Sequence, residues 1–161
     1  MNAVIRLVQP ADNPAVANVI RTVMPEFGAS GRGFAIHDTE VDNIHAAYSQ
    51  PRTAYFVCEV DGKVVGGGGV APLQNGDENT CELKKMYFLK EGRGKGLGRK
   101  LVESCLKAAK DLGFEYCYLE TFNTMKDAQV LYVKMGFEKI PGPLGNTGHF
   151  ACDMFYKIKL Q

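Results

Sequence analysis

At 161 residues, 45% of them hydrophobic, the chain is sized for one domain over residues 1–161 with a core of its own. A formal charge of +1 argues against a nucleic-acid partner, which calls for a basic surface interleaved with aromatics. No run reaches the ~18 apolar residues of a membrane span, the first residues lack a signal peptide's pattern, and the five cysteines show no C-x-x-C spacing, so a cytoplasmic protein with reduced thiols, no membrane and no metal is expected.

Val4 to Val8 reads as a first strand. Asp12-Asn13-Pro14 offers a cap before a helical pattern of Val16, Val19, Ile20 and Val23, which Pro25 should end. The flexible stretch Gly28 to Gly33 leads to Asp38 or Thr39, either of which could cap a second helix with Val41, Ile44 and Tyr48 on one face. Thr53 to Val60, the turn Asp61-Gly62, and Lys63 to Pro72 predict a hairpin. Its run Gly66-Gly67-Gly68-Gly69 implies close approach of another group. Thr80 to Leu89 reads as a long strand, Gly96 to Leu112 as a helix closed by Gly113, and Tyr116 to Thr121 as a strand parallel to Thr80–Leu89. A short helix over 127–135 ends at Gly136, and strands over 137–140 and 150–159 complete the chain. The fold class is α/β with order β-α-α-β-β-β-α-β-α-β-β.

Between the long strand and the long helix lies Glu91-Gly92-Arg93-Gly94-Lys95-Gly96-Leu97-Gly98-Arg99-Lys100. Glycines at alternate positions suit neither a strand nor a helix. They permit a loop whose amides converge, and the following helix adds its own free N–H groups and dipole. That is a cradle for a phosphate or pyrophosphate. A P-loop is excluded because Gly94-Lys95 is followed by Gly96 rather than Ser or Thr, and a G-x-G-x-x-G dinucleotide fingerprint fails in every register. The charge distribution agrees with a small polyanion here. Residues 84–161 carry fourteen basic and eight acidic side chains, whereas residues 1–83 carry five basic and ten acidic. The acidic side chains Glu26, Asp38, Glu40 and Asp42 favour a cationic small-molecule partner near the first half.

The pattern R-x-x-G-x-G at Arg93, Gly96 and Gly98 resembles the acetyl-CoA loop of the GNAT superfamily of N-acetyltransferases. A second segment, Ala128-Gln129-Val130-Leu131-Tyr132-Val133-Lys134-Met135-Gly136-Phe137, is similar to that family's A-x-x-L-Y-x-x-x-G-F. The resemblance implies a GNAT fold: a mixed sheet of about seven strands, helices on both faces, and splayed fourth and fifth strands between which pantetheine enters. It implies acetyl-CoA as cosubstrate and a primary amine of a small molecule or peptide as acceptor, by direct attack in a ternary complex. A homodimer is common in the family, and nothing here specifies one. The cofactor would be held by Met86, Tyr87, Phe88, Arg93, Gly94, Lys95, Gly96, Leu97, Gly98 and Arg99. Met125 stands where many members place an Asn, and Asn123 is the substitute.

The family assigns protonation of the leaving thiolate to the tyrosine matching Tyr132. For the base, which must take a proton from the attacking amine, Glu82 ranks first, His149 second and Glu120 third. A cysteine nucleophile would need a base beside a lowered-pKa thiol. Cys152 and His149 would face opposite sides of a strand, which speaks against that route. A CoA-binding sensor without turnover is the alternative function.

Overall fold

The computed structural model describes Met1–Gln161. Strands β1 (Ala3–Leu7), β2 (Ala54–Val60), β3 (Lys63–Pro72), β4 (Thr80–Phe88), β5 (Tyr116–Thr121), β6 (Glu138–Ile140) and β7 (Met154–Lys159) form one sheet, ordered β1-β2-β3-β4-β5-β7-β6. Only β4 and β5 run parallel, and they are hydrogen-bonded over three pairs alone, from Thr80 with Tyr116 to Glu82 with Tyr118. Beyond Glu82 the two strands part, so the expected splay is present.

Helices α1 (Asn13–Glu26) and α2 (Ile44–Ala47) cover one face of the sheet, and α3 (Leu97–Asp111) covers the other beside α4 (Lys126–Lys134). Side chains alternate across a strand. Accordingly Val57 lies in the core under α1 while its neighbour Cys58 lies in the core under α3, both fully buried. The α1 residues read from the 3.6 period, Val16, Val19, Ile20 and Val23, are all buried. Three helices stop in the same way. After α4 the amide of Gly136 donates to Val133 O and that of Phe137 to Tyr132 O. Gly136 has φ +103°, a conformation costly for any side-chain-bearing residue. The Phe137 ring then returns to the core against Tyr132, centroids 5.8 Å apart. Gly28 and Gly113 end α1 and α3 with the same bonding pattern.

Two expected elements differ. The single second helix is a 3-10 turn, Thr39–Asp42, followed by the one-turn α2, with a break at Asn43 (φ −136°). The break lets Asp38 and Glu40 turn inward to a buried lysine, Lys85, while Asn13 Oδ1 accepts the His45 amide. Val41, Ile44 and Tyr48 are nevertheless all buried. The last strand begins at Met154 rather than Phe150, because 149–153 form a turn in which the Cys152 amide donates to His149 O and that of Ala151 to Gly33 O. His149 and Cys152 consequently share one side of a turn instead of opposite faces of a strand. α1 also runs one residue past Pro25.

The glycine run of β3 makes room for side chains. A Cβ at Gly66 would stand 2.4 Å from the Phe88 ring, and one at Gly69 would stand 2.6 Å from Ala54 O. Opposite Gly68, the ladder shifts and β4 bulges at Lys85, which has φ +51°. The bulge drives the Lys85 side chain wholly out of solvent, and the Tyr55 hydroxyl secures it by donating to Lys85 O at 2.9 Å.

Candidate active site

The open end of the β4–β5 wedge leads into a cleft of about 290 Å³. Met86, Tyr87 and Phe88 of β4 form its floor, and the glycine loop with the first turn of α3 forms one end. Gly94 and Gly96 have φ of +73° and +75°, and a Cβ at either would meet nothing within 4 Å. The loop is therefore both left-handed and empty in front, with the free amides of α3 behind it, which suits a pyrophosphate. Arg93, Leu97, Gly98 and Arg99 also line the cleft. Arg93 is held in place: its Nε donates to Phe88 O at 2.9 Å, and its terminal nitrogens lie 3.2 and 3.4 Å from the Glu26 carboxylate.

Two expected cofactor residues stand outside this cleft. Lys95 donates instead to Glu91 O at 2.7 Å, and Asn123 is exposed, its amide bonded to Asp153. Met125 itself lines the wall, as do Ala128 and Leu131 of α4 and Val23 and Phe27 at the end of α1. The α1 residues were not legible as site residues, because at helical spacing a valine and a phenylalanine read simply as core.

On the other side of Tyr87 lies a second, much smaller chamber of about 30 Å³. Tyr87 is the one residue that lines both. Glu82 reaches this chamber from β4, Glu120 from β5 and His149 from the β6–β7 loop, so the three base candidates are brought together. Past Glu120, His149 and Cys152 the chamber meets an outer groove of about 360 Å³ under the β6–β7 loop.

Their environments differ sharply. Glu120 accepts from Tyr118 OH (2.7 Å) and Thr147 Oγ1 (2.5 Å), and its Oε1 lies 3.7 Å from His149 Nδ1. Burial raises its pKa, but the adjacent His149 and the hydrogen bonds from Thr147 and Tyr118 outweigh that and hold it below the usual carboxylate value. Burial works against charge on His149, yet the hydrogen bond to Asp38 (2.8 Å) and the nearby Glu120 carboxylate raise its pKa to about 9. At neutral pH it is an imidazolium with no lone pair to offer. Glu82 is only 4% exposed and receives no hydrogen bond. Burial is the main reason that its pKa rises to about 7, with the Glu120 charge adding to it against Lys84, His149 and Lys85. Burial, then the charges of Glu120 and Glu82, push the Cys152 thiol up to about 12, so it is not a ready nucleophile.

The four first-half acids singled out in the sequence are all engaged. Glu26 faces Arg93, Asp38 and Glu40 hold Lys85, Glu40 also meets Lys84 at 3.3 Å, and Asp42 pairs with Arg21 at 2.6 Å. These four charges are met within the molecule, which removes them as an argument for a cationic acceptor.

Tyr132 is 5% exposed, packed between Phe137 and Tyr156, and its ring does not line the cleft floor. Burial raises its pKa, and no hydrogen bond ties its hydroxyl. Because every sealed side-chain polar atom in the protein has a partner, that hydroxyl must reach accessible space. Burial likewise raises the pKa of Tyr87.

The family model described as "Acetyltransferase (GNAT) family" matches residues 19–137. Over 152 residues, 94% of this chain and 91% of the other, the sequence is 47% identical to the uncharacterized N-acetyltransferase YjgM of Escherichia coli strain K12. A GNAT-family acetyltransferase of Staphylococcus aureus Mu50 superposes with TM-score 0.88 at 22% identity, covering 99% of this chain and 100% of that one. The phosphinothricin acetyltransferase of Sinorhizobium meliloti, solved with AcCoA, superposes with TM-score 0.76 at 19% identity over 99% and 89% of the two chains. The family match runs through the glycine loop and the Tyr132 helix alike, and the chain accordingly belongs to the acetyltransferase (GNAT) family as an acetyl-CoA-dependent N-acetyltransferase.

Proposed function

We propose that the whole chain, 1–161, works as one catalytic domain in the cytoplasm and moves acetyl from acetyl-CoA to a primary amine by direct attack in a ternary complex. The observation that carries this reading is the pairing of an open, apolar, amide-ended cleft with a buried chamber that holds one unpaired carboxyl, the two meeting at Tyr87. The pyrophosphate would sit over Gly94 and Gly96, beside Arg93 and Arg99. The pantetheine arm would lie along Met86 to Phe88, with Leu131 and Met125 opposite. The thioester would then reach the wedge near Tyr87, and the amine would arrive from the outer groove.

Glu82 is the base: a carboxyl with a pKa near 7 is half ionised where the enzyme works, and it is not committed to a hydrogen bond. It takes one proton as the nitrogen lone pair attacks the thioester carbon. A β4 amide in the Met86–Phe88 stretch donates to the resulting oxyanion. The carbon–sulfur bond breaks, and Tyr132, held protonated by its raised pKa, gives its proton to the leaving thiolate. His149, as an imidazolium, orients Glu120 and Asp38 rather than acting as the base.

The test is acetyl-CoA binding by calorimetry followed by thiol release against a panel of small-molecule and peptide amines. Saturable binding with release on one amine class is the expected result and names the acceptor. Binding without release on any amine favours a CoA sensor, and no binding overturns the cofactor site.

A further inference from the structure

We propose that the chamber at the β4–β5 wedge is also a site for a single divalent metal ion, with zinc as the best fit, ligated by Glu82, Glu120 and His149. Donor atoms of the three residues all lie within 4.8 Å of one another, and Glu120 Oε1 and His149 Nδ1 are 3.7 Å apart. Neighbouring ligand atoms around a tetrahedral zinc stand roughly 3.4 Å apart, so one pair is already close and Glu82 needs to swing in by about 1 Å. Glu82 is the observation that points to a ligand. A carboxyl with 4% exposure and no hydrogen bond faces a void of about 30 Å³, the space of one ion or one water.

The surroundings have the form that a metal-binding imidazole and carboxylate ordinarily need. Asp38 fixes the His149 ring from the Nε2 side at 2.8 Å, which leaves Nδ1 directed at Glu120 and the void; the proton that Nδ1 carries in the ion-free protein is released to solvent as zinc takes its place. Tyr118 and Thr147 fix Glu120 by donating to its two oxygens. Ligating histidines are held in this way by a carboxylate on the other nitrogen, and ligating carboxylates by further donors. One imidazole with two carboxylates suits zinc, whereas calcium and magnesium call for a fuller set of oxygens. Ions and a fourth, exchangeable ligand can enter by the outer groove, which shares Glu120 and His149 as its inner wall. Since the ion would occupy Glu82, zinc should inhibit acetyl transfer while leaving acetyl-CoA affinity unchanged.

The experiment is calorimetric titration of zinc into chelator-treated full-length protein, repeated with cobalt(II) for its absorption spectrum. One equivalent should bind, with ligand-field bands and no thiolate charge-transfer band. Glu82→Gln and His149→Ala should each weaken binding by at least tenfold, Asp38→Asn by about 10- to 100-fold, and Cys152→Ser by less than twofold. Circular dichroism and melting confirm that each variant is folded, and Glu82→Gln, nearly isosteric, carries the decision. No saturable binding by the native chain, unchanged affinity in Glu82→Gln, or loss of binding in Cys152→Ser would each overturn the site. None of these readouts requires turnover, so failure here is distinct from failure of the transfer mechanism.

Discussion

The cleft and the buried chamber are built on opposite principles, although they share Tyr87. The cleft comes largely from one continuous stretch, residues 86–99, and presents backbone amides and apolar walls to an open space. The chamber gathers Asp38 and Glu40 from before α2, Glu82, Lys84 and Lys85 from β4, Glu120 from β5, and Thr147 and His149 from the β6–β7 loop. It is narrow, opens to the outer groove, and is almost fully ion-paired. In the cleft, geometry does the recognising, and single side chains matter less than loop shape. In the chamber, burial sets the charge states, and the one carboxyl left unpaired is the one able to accept a proton. If that contrast holds, the chamber should yield the largest effects on rate and the cleft the largest effects on affinity.

Glu82→Gln therefore heads the series. Loss of the base should lower kcat/KM by about 10²- to 10⁴-fold, and kcat/KM of the native enzyme should rise with pH through about 7. Stability should move the other way. The folded pKa is raised from 4.5 to about 7, so the native state binds an extra proton between those values and stability falls as pH rises across that window. The cost above pH 7 is on the order of 3 kcal/mol, and the Gln variant escapes it. Thermal melting from pH 4 to 8 should show the variant overtaking the native chain as pH rises. A flat pH–rate profile and parallel melting curves would assign the proton to another group.

Gly96→Asp should weaken acetyl-CoA binding about 100-fold or more. A side chain at φ +75° costs roughly 1–2 kcal/mol, and a carboxylate would stand in front of the amides meant for pyrophosphate. Gly62→Asp is the control, since Gly62 has φ +84° with equally open surroundings at the tip of the β2–β3 hairpin. Calorimetry should find cofactor affinity intact in that variant. An equal loss in both would mean that instability, not the cradle, is responsible.

The same contrast explains what could be read from the residues in order. The cleft was legible because its information is local: Arg93, Gly96 and Gly98 lie within a few positions, and loop conformation follows from the glycines themselves. Seven strands were legible from period and order, and the splay followed from the resemblance to the family. The chamber was only half legible. Glu82, Glu120 and His149 could be named as candidates, but their ranking depends on partners far away in sequence, above all Asp38, which fixes the charge on His149 across 111 positions. The broken second helix belongs to the same lesson. Its apolar period predicted a helix, and the pull of buried Lys85 on Asp38 and Glu40 overrode it. Asn123 stands outside the cleft for a local reason, since Thr121 is the last residue of β5 and the chain then turns outward toward Asp153.

Tyr132→Phe tests where the two regions join. The hydroxyl makes no hydrogen bond in the resting protein, so its removal should change stability by less than about 1 kcal/mol. Loss of the proton donor should lower kcat by about 10- to 100-fold, with acetyl-CoA affinity unchanged because Tyr132 does not line the cleft floor. Steady-state kinetics beside calorimetry separates the two quantities. An unaltered kcat would leave Tyr87, the residue common to both cavities, as the donor to examine.

The smallest effect concerns Glu26, where cleft chemistry meets a charge pair of the chamber's kind. Its carboxylate holds Arg93 at 3.2 Å, yet it also places a negative charge beside the seat of the pyrophosphate. Holding the arginine favours binding by preorganising it, whereas the charge opposes binding by repulsion. Arg93 keeps its bond to Phe88 O without Glu26, so preorganisation is largely retained, and repulsion should decide the sign. Glu26→Gln is expected to tighten acetyl-CoA binding by about two- to fivefold at low salt, the scale of a half-exposed ion pair. The difference should vanish as ionic strength rises, because the Debye length then falls below the separation of the charges. Weaker binding in the variant at every salt concentration would mean that Glu26 acts by fixing Arg93, and that even the cleft relies on a positioned side chain.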